Sequence, residues 1–260
     1  MVIQPQPHMI KFFRHIRKQL LAKSKFSKYL LYAIGEIVLV VIGILIALQI
    51  NNWNENRKEQ KKTSAYLAML SDEIQTNLKR LDRSTEMAKA HREYNLNTLK
   101  ELNSESAKTI DLDEFYAITT SQGPFSRLEL VRSSFDDLIN SGAMENVKDS
   151  LLRNQIFSIE PSYKQLENEY TAVRLVWEQQ IRPYHVEHLN ETRIITRNNE
   201  SLEFDFETDM EAFIYNRKYA NILTGNIIYI SNYEDVIVVI RKGFATTLAN
   251  IELYLNKEIL

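Results

Sequence analysis

Two histidines of this sequence have a spacing that could support metal binding. His185 and His188 are three residues apart, and this spacing would place both imidazoles on one face of a helix. Two such side chains could hold a metal ion, which in proteins usually takes three or four ligands. No third ligand can be placed from the sequence. We therefore interpret the pair as part of a solvated turn after Pro183 and predict no metal site.

An acidic cluster follows the histidines and could bind calcium through carboxylate oxygens. It consists of Glu200, Glu203, Asp205, Glu207, Asp209 and Glu211. The ligand spacing and the central glycine of an EF-hand loop are absent. The last three acids also suit the first turn of a helix that begins near Thr208. We predict no calcium site here.

Other signatures of chemistry are missing from the sequence. It contains no nucleophile elbow, phosphate-binding loop, dinucleotide-binding glycine motif or H-E-x-x-H zinc motif. Its cysteine count of 0 excludes disulfides, thiol catalysis and thiolate metal sites within this chain. We therefore predict no enzyme activity, no catalytic residue and no cofactor. Residues 51–260 carry 25 Lys and Arg against 33 Asp and Glu, a net charge near −8, which also disfavours nucleic acid as a partner.

The longest apolar stretch runs from Tyr29 to Ile50 and carries a single charge, Glu36. As a helix its 22 residues would measure about 33 Å, enough to cross a hydrocarbon core of about 30 Å. The alternatives are the core helix of a soluble protein and a cleaved signal peptide. The stretch is long for a signal core, and no small-residue cleavage pattern follows it. We predict an uncleaved transmembrane helix at residues 29–50.

Basic residues before the stretch predict its orientation. Residues 1–28 contain no acid and seven bases, namely Lys11, Arg14, Arg17, Lys18, Lys23, Lys25 and Lys28. Because flanking Lys and Arg remain in the cytoplasm, we predict a cytoplasmic head at residues 1–28, with a short amphipathic helix from Phe12 to Leu21. Residues 51–260 would then form an extracytoplasmic domain. The expected location is the inner membrane, with this domain in the periplasm.

Small residues in the stretch suggest a contact between membrane helices. Gly43 and Ala47 have the spacing typical of such contacts, and Glu36 lies seven residues before Gly43 on the same face. We predict a homo-oligomer through the Gly43 and Ala47 face. A carboxyl group inside a span is a candidate functional residue. The alternative is that Glu36 reaches toward the cytoplasmic interface.

Two segments carry a family resemblance. One covers Met9–Lys58 and includes MIKFFRHIRKQLL and KFSKYLLYAIGEIVLVVIGILIALQINNWNENRK; the other covers Ser133–Asn168, with Ser141-Gly142 at a turn and Leu152-Arg153 in the helix after it. The segments resemble an uncharacterised bacterial family of single-span membrane proteins, common in the Bacteroidota and classified only as a domain of unknown function. The resemblance implies a short cytoplasmic head, one span and an extracytoplasmic helical domain. It implies no activity and no catalytic residues.

Helices are the elements expected to position these residues, because Gly and Pro number only 6 and 5 and apolar residues recur at spacings of three, four and seven. We predict one long helix from about Glu55 to Leu102, which could continue from the span. A short helix from Thr109 or Asp111 to Thr119 follows. The next helix should cover Leu128–Asn140 and be capped by Gly142.

A second long helix is predicted from Val147 to Pro183, kinked or restarted at Pro161 and paired with the first. Leu202, Phe204 and Phe206 alternate with acids and could form a short strand. From Thr208 to Leu260 the chain should again be helical, with a break at Gly225. Apolar residues repeat every seven positions at Ile230, Ile237, Phe244 and Ile251. This repeat predicts a bundle or coiled-coil seam, and a second contact for a homo-oligomer.

The predicted fold class is all-α, with one N-terminal transmembrane helix that runs into a long-helix extracytoplasmic bundle. We expect a structural or interaction subunit at the cell envelope, with the lipid bilayer, an unknown protein and a second copy as partners. The alternative is a small-molecule sensing domain that acts through a partner protein, because residues 1–28 are too short for an output domain.

Overall fold

A computed structural model describes residues 26–120, 123, 127–196 and 206–259 of the chain. These residues form helices and connecting turns and no strand, which confirms the all-α fold class. The chain divides into two compact units, residues 1–61 and 62–260. Phe206, the described residue of the predicted strand, is not in one, and Leu202 and Phe204 lie outside the described residues.

Unit 1 contains the first part of helix α1, which runs from Phe26 to Leu102 without interruption. Every residue from 30 to 50 except Ala33 is exposed. The most apolar part of this stretch has a mean hydropathy of 2.7 and no buried residue. Among the described residues, α1 is the one helix long and apolar enough to cross a membrane. The helix predicted from about Glu55 to Leu102 is confirmed, and it continues from the apolar stretch. The amphipathic helix predicted at Phe12–Leu21 lies outside the described residues.

Unit 2 contains the rest of α1 and a set of shorter helices that lead to one long final helix. The helices are α2 (Leu112–Thr120), α3 (Ser133–Asn140), α4 (Ser150–Phe157), α5 (Ile159–Val176), α6 (Arg182–His188), α7 (Thr192–Thr196) and α8 (Arg217–Ile259). Single 3-10 turns lie at Glu105–Thr109, Ala143–Asn146 and Met210–Ala212. A π-helix at Trp177–Ile181 joins α5 to α6.

The main core of unit 2 is formed by α1, α5 and α8 with the shorter helices α3 and α4 against them. All four residues of the predicted seam, Ile230, Ile237, Phe244 and Ile251, are buried in this core. They are therefore covered by the unit's own helices, while the homo-oligomer contact predicted for α8 stays a prediction. Helix α5 packs along α8, and α1, the partner that the sequence predicts for α5, shares the same core.

The capping and helix-breaking residues predicted from the sequence lie at or near helix ends in the structure. Asp111 Oδ1 accepts a hydrogen bond from Glu114 N at the start of α2 (2.8 Å). Gly142, after α3, has φ 73°, a left-handed conformation that glycine adopts without strain. The helix predicted from Val147 begins at Ser150 and restarts at Ile159, two residues before Pro161. Such signals act over a few residues, and the sequence contains them.

Several predicted boundaries are wrong, and three of them have an evident physical cause. Helix α3 begins at Ser133 instead of Leu128, because residues before it bond to α1. Helix α8 passes through Gly225 without a break, since an interior glycine costs only about 1 kcal/mol in a helix that is packed along its length. Pro183 lies inside the first turn of α6. The wider π turn before it accommodates a ring that would clash with the carbonyl four residues earlier in a regular α-helix.

Candidate functional site

His185 lies in α6 and is only 4% exposed. Its Nε2 lies 3.1 Å from the hydroxyl of Tyr219, in the first turn of α8. Burial lowers the pKa of His185 to about 4, and the charge of Arg182 acts in the same direction. The prediction of a solvated turn is therefore wrong for His185. Its covering residues come from a distant part of the chain, which a local spacing cannot reveal.

His188, one turn further along α6, contacts different groups. Its Nδ1 lies 3.2 Å from Asp209 Oδ2, and its Nε2 lies 3.8 Å from Glu187 Oε2. The two histidines thus do not converge on a common point of coordination. No group of three or more His, Asp or Glu side chains suited to a metal ion occurs within residues 26–120, 123, 127–196 and 206–259.

The acidic cluster is only partly described. Glu200, Glu203 and Asp205 lie outside the described residues. Asp209 Oδ1 accepts a hydrogen bond from Ala212 N (3.1 Å) and so caps the 3-10 turn Met210–Ala212. The acids near residue 208 do precede a helical turn, but that turn is short, and α8 begins only at Arg217.

An aromatic cluster encloses His185 at the end of unit 2 where α1 stops. It consists of Phe115, Tyr116, Tyr184, Phe213 and Tyr219. The rings of Tyr184 and Tyr219 are stacked at 5.3 Å, and Phe213 meets Tyr219 edge to face at 4.6 Å. Leu102, the last residue of α1, is buried in the same cluster. Ring pairs at these distances prefer defined relative orientations, so the cluster forms a rigid floor between α1, α6 and α8.

A groove of about 430 Å³ lies on the solvent side of this floor, and we call it the α6–α8 groove. Its lining residues are Gln179, Gln180, Pro183, Tyr184, Glu187, Lys218, Asn221 and Ile222. The π-helix supplies both glutamines, and π turns inside helices frequently occur at functional sites. Sequence reasoning missed this groove. Pro183 in a helical pattern is the available signal, and it predicts a helix end.

A buried carboxylate of α1 holds the start of α3. Glu73 is 5% exposed and accepts hydrogen bonds from Ser134 N (2.6 Å) and Phe135 N (3.3 Å). A negative charge at a helix N-terminus satisfies amides that have no partner within the helix. The second resemblance segment, which opens with these residues, is therefore anchored on α1.

One turn along α1, Asn77 binds the chain that leads into α3. Its Nδ2 donates to Val131 O (2.7 Å), and its Oδ1 accepts from Val131 N (2.8 Å). The Tyr163 hydroxyl donates to the same carbonyl (2.9 Å). These bonds keep the residues before Ser133 out of the helix, which explains why α3 starts later than predicted.

Polar contacts also join α1 to α8. The hydroxyls of Ser84 and Tyr233 lie 3.1 Å apart, and Asn226 Nδ2 donates to Asn95 Oδ1 at 3.1 Å. Arg92 Nε lies 3.1 Å from Glu234 Oε1 in a partly buried ion pair. Paired polar groups in a core restrict how two helices can align, because any shift leaves a buried donor or acceptor unsatisfied.

The residues predicted to lie in the membrane all belong to α1. Glu36, Gly43, Ala47 and Ile50 are exposed along it, and a Cβ added at Gly43 would meet no atom within 4 Å. Tyr29 and Lys28 also fall within α1. The other predicted topology residues, Lys11 to Lys25, lie outside the described residues. The homo-oligomer contact through Gly43 and Ala47 stays a prediction.

Comparison with known proteins identifies a family. The sequence profile of a family of unknown function, DUF6090, matches residues 36–192, which is more than half of the chain. No curated protein and no solved structure matches it. The matched range includes most of the apolar stretch and all of the second resemblance segment, so the resemblance to an uncharacterised family is confirmed, while its bacterial phylum stays an expectation. The chain thus belongs to the DUF6090 family of unknown function.

Proposed function

We propose that this protein is a single-span protein of the inner membrane whose helical unit 2 is a structural or interaction subunit at the cell envelope. The observation that carries the proposal is the exposed apolar stretch of α1. Residues 30–50 form an apolar helix surface that the described chain leaves exposed. Exposed apolar surface of this extent is costly in water and is stable in lipid.

The orientation follows from charge. Seven bases and no acid precede the stretch, and such flanks remain in the cytoplasm. Since the chain has no cysteine, two single-cysteine variants, Gln6→Cys and Lys89→Cys, can be labelled with a membrane-impermeant maleimide. We expect labelling of Lys89→Cys in intact spheroplasts and of Gln6→Cys only after lysis. Recovery of the chain in the soluble fraction, or the reverse labelling, would contradict the proposal.

An outer surface of α8 supports the interaction role. Ile228, Val239 and Leu253 are 54%, 66% and 57% exposed. Their spacings of eleven and fourteen residues place them within about 40° of one another around the helix. The buried residues Ile237 and Phe244 lie on the opposite side, in the core. Helix α8 thus has one apolar side packed in unit 2 and, on the opposite side, three exposed apolar residues separated by charged ones such as Asp235 and Lys242. A mixed surface of this kind suits contact with another envelope protein.

The test is photocrosslinking in cells, with benzoylphenylalanine at Ile228 or Val239. Lys79 and Glu86, which are exposed polar positions of α1, serve as matched controls. We expect one defined adduct from the α8 positions and none from the controls. An adduct of twice the chain mass would assign the surface to self-association. Absence of any adduct from both α8 positions would refute an interaction role for this surface.

The alternative function, sensing of a small molecule, is favoured by one specific observation. The floor of the α6–α8 groove includes Tyr184, which shares the aromatic cluster with Leu102 of α1. A ligand in the groove would therefore contact a cluster that includes the end of the helix carrying the apolar stretch.

A further inference from the structure

The α6–α8 groove has the size of a small-molecule site. Its volume of about 430 Å³ falls within the range of roughly 300–1,000 Å³ common for ligand pockets. One wall comes from the π-helix and α6, and the other comes from the first two turns of α8. The π turn makes the first wall, so the groove results from the same local geometry that accommodates Pro183.

The groove carries opposite charges on its two walls. Glu187 lies on α6 and Lys218 lies on α8. No ion pair between them, and none between Lys218 and another carboxylate, occurs in the part of the chain that the structure describes. The Lys218 ammonium instead lies 5.0 Å from the centre of the Tyr184 ring, a cation–π contact that holds it above the groove floor.

The remaining lining is part polar and part apolar. Gln179, Gln180 and Asn221 present carboxamides, each of which can both donate and accept hydrogen bonds. Tyr184 and Ile222 supply apolar floor between the charged walls. A few polar groups around an apolar floor are typical of small-ligand sites, where the polar groups fix orientation.

We propose that this groove binds a small zwitterion, a free amino acid or a short peptide with a free amino group and a free carboxylate. The ammonium group of the ligand would pair with Glu187, its carboxylate with Lys218, and its side chain would lie on Tyr184 and Ile222. A simple anion or cation fits less well, because it would be repelled by one of the two charged walls. This site is distinct from the outer surface of α8, so either proposal can fail without the other.

Isothermal titration of the full chain in nanodiscs tests the proposal. The probes are L-leucine, L-phenylalanine and Ala-Ala, and the blocked analogues are N-acetylleucine and leucinamide. Exposed charge pairs are individually weak, so we expect Kd values between about 10 μM and 1 mM. Free amino acids binding more tightly than Ala-Ala would identify the natural class as amino acids, and the reverse order would identify it as peptides. The blocked analogues should bind about two- to fivefold more weakly, since each loses one of the two ion pairs.

Two variants locate the site, and two control for charge alone. Lys218→Gln and Glu187→Gln should each raise the Kd of the best zwitterion about two- to fivefold. Lys242→Gln and Glu252→Gln, at exposed positions of α8 outside the groove, should leave it unchanged. All four positions are exposed, and circular dichroism will verify that the variants are folded. No binding of any zwitterion at about ten times the weakest expected Kd would overturn the proposal. Equal binding of blocked analogues, or unchanged binding in both groove variants, would also overturn it.

Discussion

Acid should destabilise unit 2 through His185. The side chain is buried in the folded protein, where its pKa is about 4, whereas an unperturbed histidine has a pKa of 6.5. The unfolded chain therefore binds a proton more readily than the folded chain does. The contribution of the neutral His185 side chain to the free energy of unfolding is therefore fully present above pH 6.5 and is lost as the pH falls toward 4.

The size of the effect follows from the two pKa values. A difference of about 2.5 between them is worth about 3.4 kcal/mol once the pH is well below 4. Between pH 8 and pH 5 the loss from this group amounts to about 2 kcal/mol. Typical free energies of unfolding are about 5–15 kcal/mol, so a single imidazole should lower the stability measurably in a range where most carboxylates are still ionised.

Tryptophan fluorescence offers a direct assay. The chain has 2 tryptophans, and the ring of Trp177 lies 6.1 Å from His185. In a Trp53→Phe background, urea unfolding followed by Trp177 emission would report on unit 2 at pH 8 and pH 5. Burial also lowers the pKa of His91, so part of the pH dependence should remain in His185→Phe. The reasoning is refuted if His185→Phe loses as much stability between pH 8 and pH 5 as the parent does.

Two further predictions concern the backbone of unit 2 and the cap of α3. Gly225→Ala and Gly243→Ala should each raise the free energy of unfolding by about 0.5–1 kcal/mol, because both glycines lie inside α8 and an added Cβ meets no atom within 4 Å. Gly142→Ala should lower the free energy of unfolding by about 1 kcal/mol, since φ at this position is 73°. A destabilised Gly243→Ala in urea unfolding would count against this account. Glu73→Ala should lower the free energy of unfolding by about 1–3 kcal/mol, because it leaves the Ser134 and Phe135 amides without their acceptor. The control Glu86→Ala, at an exposed position, should change the free energy of unfolding by less than about 0.5 kcal/mol. Equal effects of the two substitutions would contradict the capping role of Glu73.

The long helices could be predicted from sequence because their cores impose a regular spacing. Leu67, Leu70, Ile74 and Leu81 recur at helical intervals and are all buried. The seven-residue repeat from Ile230 to Ile251 likewise marks the core side of α8. Burial of one face over many turns leaves a periodic pattern, whereas the pattern does not specify which helix covers that face. The sequence therefore predicted the seam and not its partner.

The groove and the environment of His185 could not be predicted, because each depends on residues far apart in the chain. Tyr219 lies 34 residues after His185, and no local pattern links them. The start of α3 is set by Asn77, 54 residues before Val131. Pro183 was visible as a helix breaker, but whether a helix ends or widens there depends on packing around the π turn. The helices themselves could thus be predicted from the sequence, whereas the contacts between them could not.

Helix α8 lies outside the range that matches the family, yet the fold of unit 2 requires it. The family match ends at residue 192, and α8 contributes Ile230, Tyr233, Ile237, Ile240, Phe244 and Ile251 to the buried core. Burial of a large apolar side chain contributes about 1.5–3 kcal/mol before the entropy cost of ordering it. Because typical net stabilities are only about 5–15 kcal/mol, loss of these six side chains from the core should unfold unit 2.

A chain ending at residue 192 should therefore lack a cooperative unfolding transition, although it keeps the apolar stretch, the matched range and both His185 and Glu73. A chain ending at Asn256 is the matched control, because it removes only the last turn of α8 and should unfold cooperatively. Limited proteolysis and urea unfolding in detergent would compare the two. Cooperative unfolding of the shorter chain would mean that the matched range folds alone and that α8 is an accessory. The expected outcome instead means that the groove, the His185 environment and the outer α8 surface can be studied only in a chain that includes α8.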